Sequence, residues 1–524
     1  MAEEAVRLRR TLAAARPDAF TPDLALSLSN LANFLHDLGR HEEALAAAEE
    51  AVGIRRALTK ARPDAFTPSL ALSLINLANT RSDLGRREEA LTAAKEAVCH
   101  YRTLAAARPD AFTPNLTVSL TILAHTLSSI GRREEALAAA EEAVRYNRAL
   151  AAARPDAFTP DLAGSLTNLA NRLRDVGRRE EALAAAEEAV RHYRTLAAAR
   201  PDAFAPDLAG SLTNLTNKLS DIGRREDALA VAEEAVRHNR ALASARLYAF
   251  TPNLALSLTN LANKLNDLGR PEEALAPAEE AVRLHRALAA AHSDAFTPDL
   301  ALSLHNLAHM LAALHRREDA LATAKEAVCH YRALAAARPD AFTPDLTLSL
   351  NNLASMLAAL SRCEEALAAA EEAVRLLRAL AAARPDAFTP DLAGSLNNLS
   401  MWLCVLGRRE EALATAEEAV CLYRTLAAAR PDTFAADLAR SLRVLGNLHG
   451  ETGKADLAIE TLAEGVRLLT PLFAAVPAAV AGMMRGLVQS YIRQCETAGR
   501  EPDTELLGPV FAEFERLNAS EENK

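Results

Sequence analysis
Leucines at Leu162, Leu166, Leu169 and Leu173, followed by Val176, recur at spacings of four and three, which lays them along one side of an α-helix. Thr159-Pro160-Asp161 predicts where that helix starts: a hydroxyl N-cap, a proline whose missing N–H costs nothing at the first position, and a carboxylate at the positive end of the dipole. Gly177 predicts its end, because glycine accepts the left-handed conformation just past a last turn. A second helix is expected from about Arg179 to Ala199, with Glu180 and Glu181 in its first turn, arginines toward its end, and Pro201 as the stop. The pattern then begins again. Phenylalanines at Phe20, Phe66, Phe112, Phe158, Phe204, Phe250, Phe296, Phe342, Phe388 and Phe434 stand 46 residues apart without insertion or deletion, and one further step falls on Val480 in a worn copy, VPAAV. A fixed period of this size marks a stacked repeat array in which each unit buries its apolar face only against its neighbours.

Two helices per unit, the first closed by Gly-Arg and the second opening with Glu-Glu-Ala-Leu, resemble the tetratricopeptide repeat. Leu169, Ala170, Leu173, Ala182 and Ala189 stand where that family places its signature leucine, small residue, large residue and two alanines. Ala186 replaces the usual aromatic, and Arg194 replaces the usual helix-ending proline, so the second helix continues for another turn or two and the unit lengthens from 34 residues to 46. Extended units of this kind are similar to those of kinesin light chain and of bacterial signalling proteins. The resemblance implies an all-α fold, a right-handed α-solenoid or superhelix of antiparallel helix pairs. It lays out the chain as a half repeat over 1–19, ten tandem repeats over 20–479, and a degenerate capping repeat with an irregular, polar tail over 480–524.

Composition narrows the function more than the fold. Aromatic residues are 4 % of the 524, which suits thin, close-packed helix pairs rather than a deep cofactor pocket. The net charge is −10 and the Lys and Arg residues alternate with Glu, so no basic footprint for nucleic acid is present. Protein partners are expected. The N-terminal MAEEAVRLRR lacks the apolar segment of a signal peptide, and the most apolar stretch, Leu472 to Val488, is broken by Pro477 and Arg485; a cytoplasmic chain with no membrane contact is expected. The six cysteines form no C-x-x-C pair, and Cys99-His100 and Cys329-His330 lie five units apart, so free thiols and no metal are expected. No phosphate-binding loop, nucleophile elbow or HExxH motif occurs, which argues against an enzyme and against a cofactor. Adjacent glutamates such as Glu187-Glu188 point apart on a helix and read as a solvated face. The half repeat at the start either serves as a cap or continues an upstream segment; an uncovered apolar side there, including Val6 and Leu8, would offer a route to self-association.

Two polar columns run along the first helix of the repeats. One holds Asn33, Asn79, Asn171, Asn217, Asn263 and Asn447, with His125 and His309 as substitutes; the other, three residues earlier, holds Asn30, Asn76, Asn168, Asn214, Asn260, Asn306, Asn352 and Asn398. Asparagine is a poor helix former, so two per helix ask for a reason. The resemblance implies that the first column faces a concave groove, where side-chain amides both donate to and accept from a peptide backbone; duplication of one ancestral unit accounts for the columns equally well. A third column changes character, from Phe34, Thr80 and Thr126 through Arg172, Lys218 and Lys264 to Met310, Met356 and Trp402. A fourth runs Asp37, Asp83, Asp175, Asp221 and Asp267, then Ala313, Ala359 and Val405. The Met, Met, Trp stripe is either repacked core or an apolar partner contact. The resulting expectation is a non-enzymatic scaffold that binds a peptide or a partner helix through the asparagines together with Met310, Met356 and Trp402. The competing expectation is the regulatory arm of a larger signalling effector, such as an NTPase or a protease.

Overall fold
In a computed structural model that describes residues 2–245 and 247–522, the chain is helical throughout its repeats and divides into two compact units, 1–269 and 270–524. The first unit opens with helix Ala2–Ala15, continues through five pairs that begin with Pro17–Asp37 and His41–Ala61 and end with Pro201–Asp221 and Arg225–Ala245, and closes with Leu247–Asp267. The second opens with Pro271–Ala291, holds four pairs from Ser293–Ala313 and Arg317–Ala337 to Pro431–Glu451 and Ala455–Ala475, and adds Pro477–Thr497 and Thr504–Glu522. In each pair the first member is called helix A and the second helix B. Within a unit every helix packs against the one before and the one after.

Helix A begins five residues earlier than the Thr-Pro-Asp signal suggested. In the repeat of Phe158 it spans Pro155–Asp175, so the prolines of the R-P-D segment occupy the first position. Thr159 and Pro160 lie inside the helix, and the Thr159 hydroxyl donates to the Pro155 carbonyl at 2.7 Å instead of capping. Both segments offer proline followed by Asp, but only the earlier start brings Phe158 into the first turn, where the Arg154 guanidinium lies 4.8 Å from its ring centre. Helix B spans Arg179–Ala199, as the sequence indicated.

The turn between them is a Schellman closure. Gly177 adopts φ +82°, its N–H donates to the Arg174 carbonyl at 2.9 Å, and Arg178 N–H donates to the Leu173 carbonyl at 2.9 Å. His315 and Ser361 replace this glycine yet keep φ at 58° and 60°, in a region that costs a side chain about 1–2 kcal/mol.

The core is made of leucines from helix A and alanines from helix B. Leu162 and Leu166 are buried, as are Ala182, Ala186 and Ala189. On the outer side, Arg148 of one helix B reaches Glu188 of the next at 2.6 Å, and Arg286 reaches Glu326 at 2.7 Å. The adjacent glutamates therefore point apart on a solvated face, as expected, and Glu187 lies 3.9 Å from Arg224 of the next repeat. Exposed pairs of this kind contribute no more than about 1 kcal/mol each.

The irregular tail is also a helix. Asp503 caps Thr504–Glu522 by accepting from the Glu505 and Leu506 N–H groups at 2.9 and 3.2 Å. Leu507 and Val510 are buried, and Phe514 meets Phe473 with ring centres 4.7 Å apart. The repeat pattern fades there because this helix packs in its own way on Ala455–Ala475 and Pro477–Thr497. In Ala2–Ala15, Val6 is covered and Leu8 is exposed.

The strained turns yield a stability test. His315→Gly and Ser361→Gly should each stabilise the second unit by about 1 kcal/mol, and Gly177→Ala should destabilise the first by a similar amount. Denaturant midpoints that do not move in these opposite directions would show that the left-handed turn stores no strain.

Candidate protein-binding face
Within each unit, successive A helices touch one another directly and form one continuous face. Four positions of helix A run along it at spacings of four, three and four, so that they share one side. In the repeat of Phe66 these are Leu72, Asn76, Asn79 and Asp83. The two asparagine columns and the aspartate column thus belong to one stripe, which begins with a residue that the sequence reading passed over.

That first residue is a leucine or valine in six repeats. Leu26, Leu72, Val118 and Leu256 in the first unit and Leu302 and Leu348 in the second are 45–55 % exposed. Each lies two residues past a buried leucine such as Leu24 or Leu70, so it points away from the core. An apolar residue off the core stripe in unit after unit was the signal that could have revealed it. In the remaining repeats the position holds Gly164, Gly210, Gly394 or Arg440.

The asparagines divide between surface and seam. Asn33, Asn79, Asn30, Asn168 and Asn398 are exposed, and Asn171, Asn217, Asn263, Asn76, Asn214, Asn260, Asn306 and Asn352 are half-buried. Asn171 accepts from Lys218 Nζ at 2.9 Å. Asn352 Nδ2 donates to His305 Nε2 at 3.1 Å, and His305 Nδ1 meets Ser349 Oγ at 2.9 Å. Burial, with His309 nearby, holds that imidazole below its ordinary pKa, which suits a neutral ring that donates at Nδ1 and accepts at Nε2. Such bonds join neighbouring A helices within a unit.

The third column lies mostly behind this face. Phe34 is exposed, but Thr80, Thr126, Lys218 and Met310 are each 5 % exposed or less. Met310 therefore stands in the packed interior rather than on a surface that a partner could touch. Met356 and Trp402 are half-buried and pack against the core. The change from charged to apolar side chains is a change in how neighbouring A helices are joined. In the first unit Arg174 reaches Asp221 at 2.8 Å and Ser128 donates to Asp175 at 3.0 Å, while Arg172 lies 3.3 Å from Asp175 of its own helix; in the second, methionine, tryptophan and alanine fill the corresponding places. The Asp37 side chain lies outside the described residues. Lys218 is the extreme case, because burial, with Arg174 next in effect, pushes its pKa down to about 8.

Two clefts open where glycine replaces the exposed leucine. One, of about 370 Å³, lies at Gly164 and is lined by Val118, Asn147, Asp161, Asn168, Tyr193 and Asp207, among others. The other, of about 500 Å³, lies at Gly394 and is lined by the equivalent Leu348, Leu377, Asp391, Asn398, Tyr423 and Asp437, with Arg440. A Cβ at Gly164 would sit 3.4 Å from the Tyr193 hydroxyl, and one at Gly394 would sit 3.3 Å from that of Tyr423. Among the described residues no group of three His, Cys, Asp or Glu side chains is placed to hold a metal ion, and no helix is long and apolar enough to cross a membrane.

Comparison with known proteins agrees with this architecture. Tetratricopeptide repeat models match residues 23–103, 118–150, 162–197, 254–294, 346–382 and 392–428, and a model of anaphase-promoting complex subunit 5 matches 284–333. The chain belongs to the tetratricopeptide repeat family, whose members are in general non-catalytic scaffolds for protein interaction. No curated protein matches the sequence. Among solved structures, a putative kinesin light chain of nearly identical repeats from P. anserina shares 20 % identity over 42 % of this chain and 95 % of its own, with a TM-score of 0.33. A signal transduction ATPase with a tetratricopeptide repeat sensor from Pyrococcus horikoshii shares 14 % identity over 74 % of this chain and 54 % of its own, with a TM-score of 0.45. The human IFIT1 dimer with m7Gppp-AAAA shares 16 % identity over 85 % of this chain and 90 % of its own, with a TM-score of 0.41. At this level the likeness is one of repeated helix pairs alone.

Two substitutions test the seam. Lys218→Met places there the residue that the array itself carries at Met310 and Met356, and should stabilise the first unit by about 1 kcal/mol at pH 7. The buried lysine's pKa is lowered on folding, so the unfolded chain binds the proton more tightly between pH 8 and the ordinary lysine range, and wild-type stability gains as pH rises through that window. The advantage of the variant should therefore shrink from pH 7 to pH 10, and an advantage that stays constant would show that Lys218 carries no burial penalty. Trp402→Ala should lower the thermal midpoint, with a loss of about 3 kcal/mol; an unchanged midpoint would place Trp402 outside the packing.

Proposed function
We propose that the chain is a non-enzymatic scaffold that binds an extended peptide or a helix of a partner protein along the face built from its A helices. The observation that carries this reading is the exposed leucine ridge beside the asparagine columns. Leu26, Leu72 and Val118 stand at equivalent places in consecutive repeats, each about half exposed, so a partner laid across these A helices meets an apolar contact in each of the three. Covering one such leucine contributes on the order of 1 kcal/mol, and the sum over several repeats sets the affinity.

Beside each leucine the exposed amides of Asn30, Asn33 and Asn79 supply paired donors and acceptors that fix a backbone in register, each net bond adding about 1 kcal/mol. Asn168, Asn214, Asn217 and Asn263 extend this edge within the first unit, and Asn306, Asn352 and Asn398 form the equivalent edge of the second, with Met356 and Trp402 as half-buried apolar neighbours. A rigid array asks little reorganisation of itself on binding, which favours affinity.

A displayed peptide library supplies the test. Peptides selected on the whole chain should lose at least tenfold in affinity on Leu72→Glu or Leu348→Glu and be unaffected by Arg133→Glu, a change at the exposed start of a helix B. Selection of no peptide, or of peptides that depend on Arg133 and ignore both leucines, would overturn the reading.

A further inference from the structure
The cleft at Gly164 carries a chemistry of its own. Asn147, on the floor, is 3 % exposed. Its Nδ2 donates to the Asp161 carbonyl at 3.2 Å, which orients the amide and leaves Oδ1 as a buried acceptor with no partner. A buried acceptor left unmade costs about 1–3 kcal/mol, so it is a demand for a donor. Asp161 and Asp207, from consecutive repeats, stand at the rim. Neither takes part in an ion pair among the described residues, and partial desolvation raises both carboxylates above the ordinary range. Burial first, and then the charges of Asp207 and Asp161, push the Tyr193 hydroxyl's pKa up to about 12.

The array itself shows what this niche accepts. Two repeats earlier the position of Asn147 is held by Arg55, which is 6 % exposed. Its guanidinium donates to the Ser69 carbonyl at 2.9 Å and to the Ser73 hydroxyl, the counterparts of the Asp161 carbonyl and of Ser165. In the sister cleft at Gly394 the position of Gly210 is held by Arg440, whose Nη1 lies 3.4 Å from the Asp437 carboxylate, the counterpart of Asp207. A guanidinium therefore fits from the helix B side in one repeat and from the helix A side in another. Only in the cleft at Gly164 are both arginines replaced by short residues, while the acceptors remain.

We infer that the Gly164 cleft is a receptor for an arginine side chain of a bound peptide, with the guanidinium taken between Asp161 and Asp207 and directed at Asn147 Oδ1. Such a side chain supplies five donors in a plane, which answers two carboxylates and a carbonyl-type acceptor better than an ammonium does. The inference rests on the peptide-binding role of the helix A face and adds a residue preference to it.

A fluorescein-labelled hexa-arginine amide, followed by anisotropy at physiological salt with the full chain, tests the assignment. Binding should fall at least tenfold with the Asp161→Asn, Asp207→Asn pair and with Asn147→Arg, which refills the niche as Arg55 does. Gly164→Leu should also weaken it; two repeats earlier the same two positions hold Leu72 and Tyr101, so the array already carries this combination. The pair Asp156→Asn, Asp202→Asn changes the net charge equally in the first turns of the same helices and should leave binding unchanged. A hexalysine amide or a hexacitrulline amide should bind at least tenfold more weakly. Absence of hexa-arginine binding, equal binding of hexalysine, or equal loss from both aspartate pairs would overturn the assignment. Library peptides that need Leu72 but bind the Asp161, Asp207 variant normally would remove the arginine site and leave the peptide-binding face standing.

Discussion
A helix pair of this chain cannot make a core by itself, and the fold depends on how closely the next pair can approach. That distance is set by the alanines of helix B. Ala90, Ala97, Ala136 and Ala189 are fully or almost fully enclosed, and a larger side chain at any of them would have to push a neighbouring helix aside, because interiors packed this densely have no space to absorb a methylene group. Alanine costs nothing in helix propensity, so the sequence secures helix and contact with one residue. The leucines of helix A then fill what the alanines leave. Stability in such an array is a sum of units and of nearest-neighbour interfaces, which is why a strict period matters more than any single contact.

The seam between A helices carries charged side chains in the first unit and methionine, tryptophan and alanine at the corresponding places in the second, while amide, imidazole and hydroxyl bonds cross it in both. A serine such as Ser73, Ser165 or Ser395 is buried at the same place in every repeat, and its partner varies: Arg55 for Ser73, Asn351 for Ser395 at 2.7 Å, and the Leu162 carbonyl for Ser165 at 2.9 Å. One small hydroxyl that can donate or accept lets the neighbouring column drift among Arg, Asn, His, Tyr and Leu without leaving a donor stranded. The exceptions are informative. Asn147 and Asn239 keep an unpartnered buried oxygen, and the first of these faces a cleft.

Function follows from where the repeat deviates. A uniform leucine ridge would bind any apolar partner in any register, whereas Gly164 and Gly394 break the ridge and open clefts that expose the aspartates and tyrosines beneath. The replacement of leucine by glycine costs little in helix stability, about 1 kcal/mol, and turns a repeating surface into one with marked positions.

The sequence by itself determined the helices, their order and the turn between them, because these depend on contacts within a few residues: the spacing of Leu162 to Val176, the left-handed Gly177 and the acidic first turn of helix B. It misplaced the start of helix A, because R-P-D and T-P-D carry the same local signal and the choice rests on the packing of Phe158. It placed the asparagines on one stripe, since spacing along a helix is enough for that. Tertiary structure alone decided which side chains on that stripe remain open, because burial is settled by the next repeat and not by the helix that carries the residue. Met310 is enclosed by that neighbour while Leu72 is left out, although both are apolar residues on a helix A. The cleft at Gly164 joins residues from Val118 to Asp207, which lie in several helices and share no motif, so only the stacking of consecutive repeats brings them to one place.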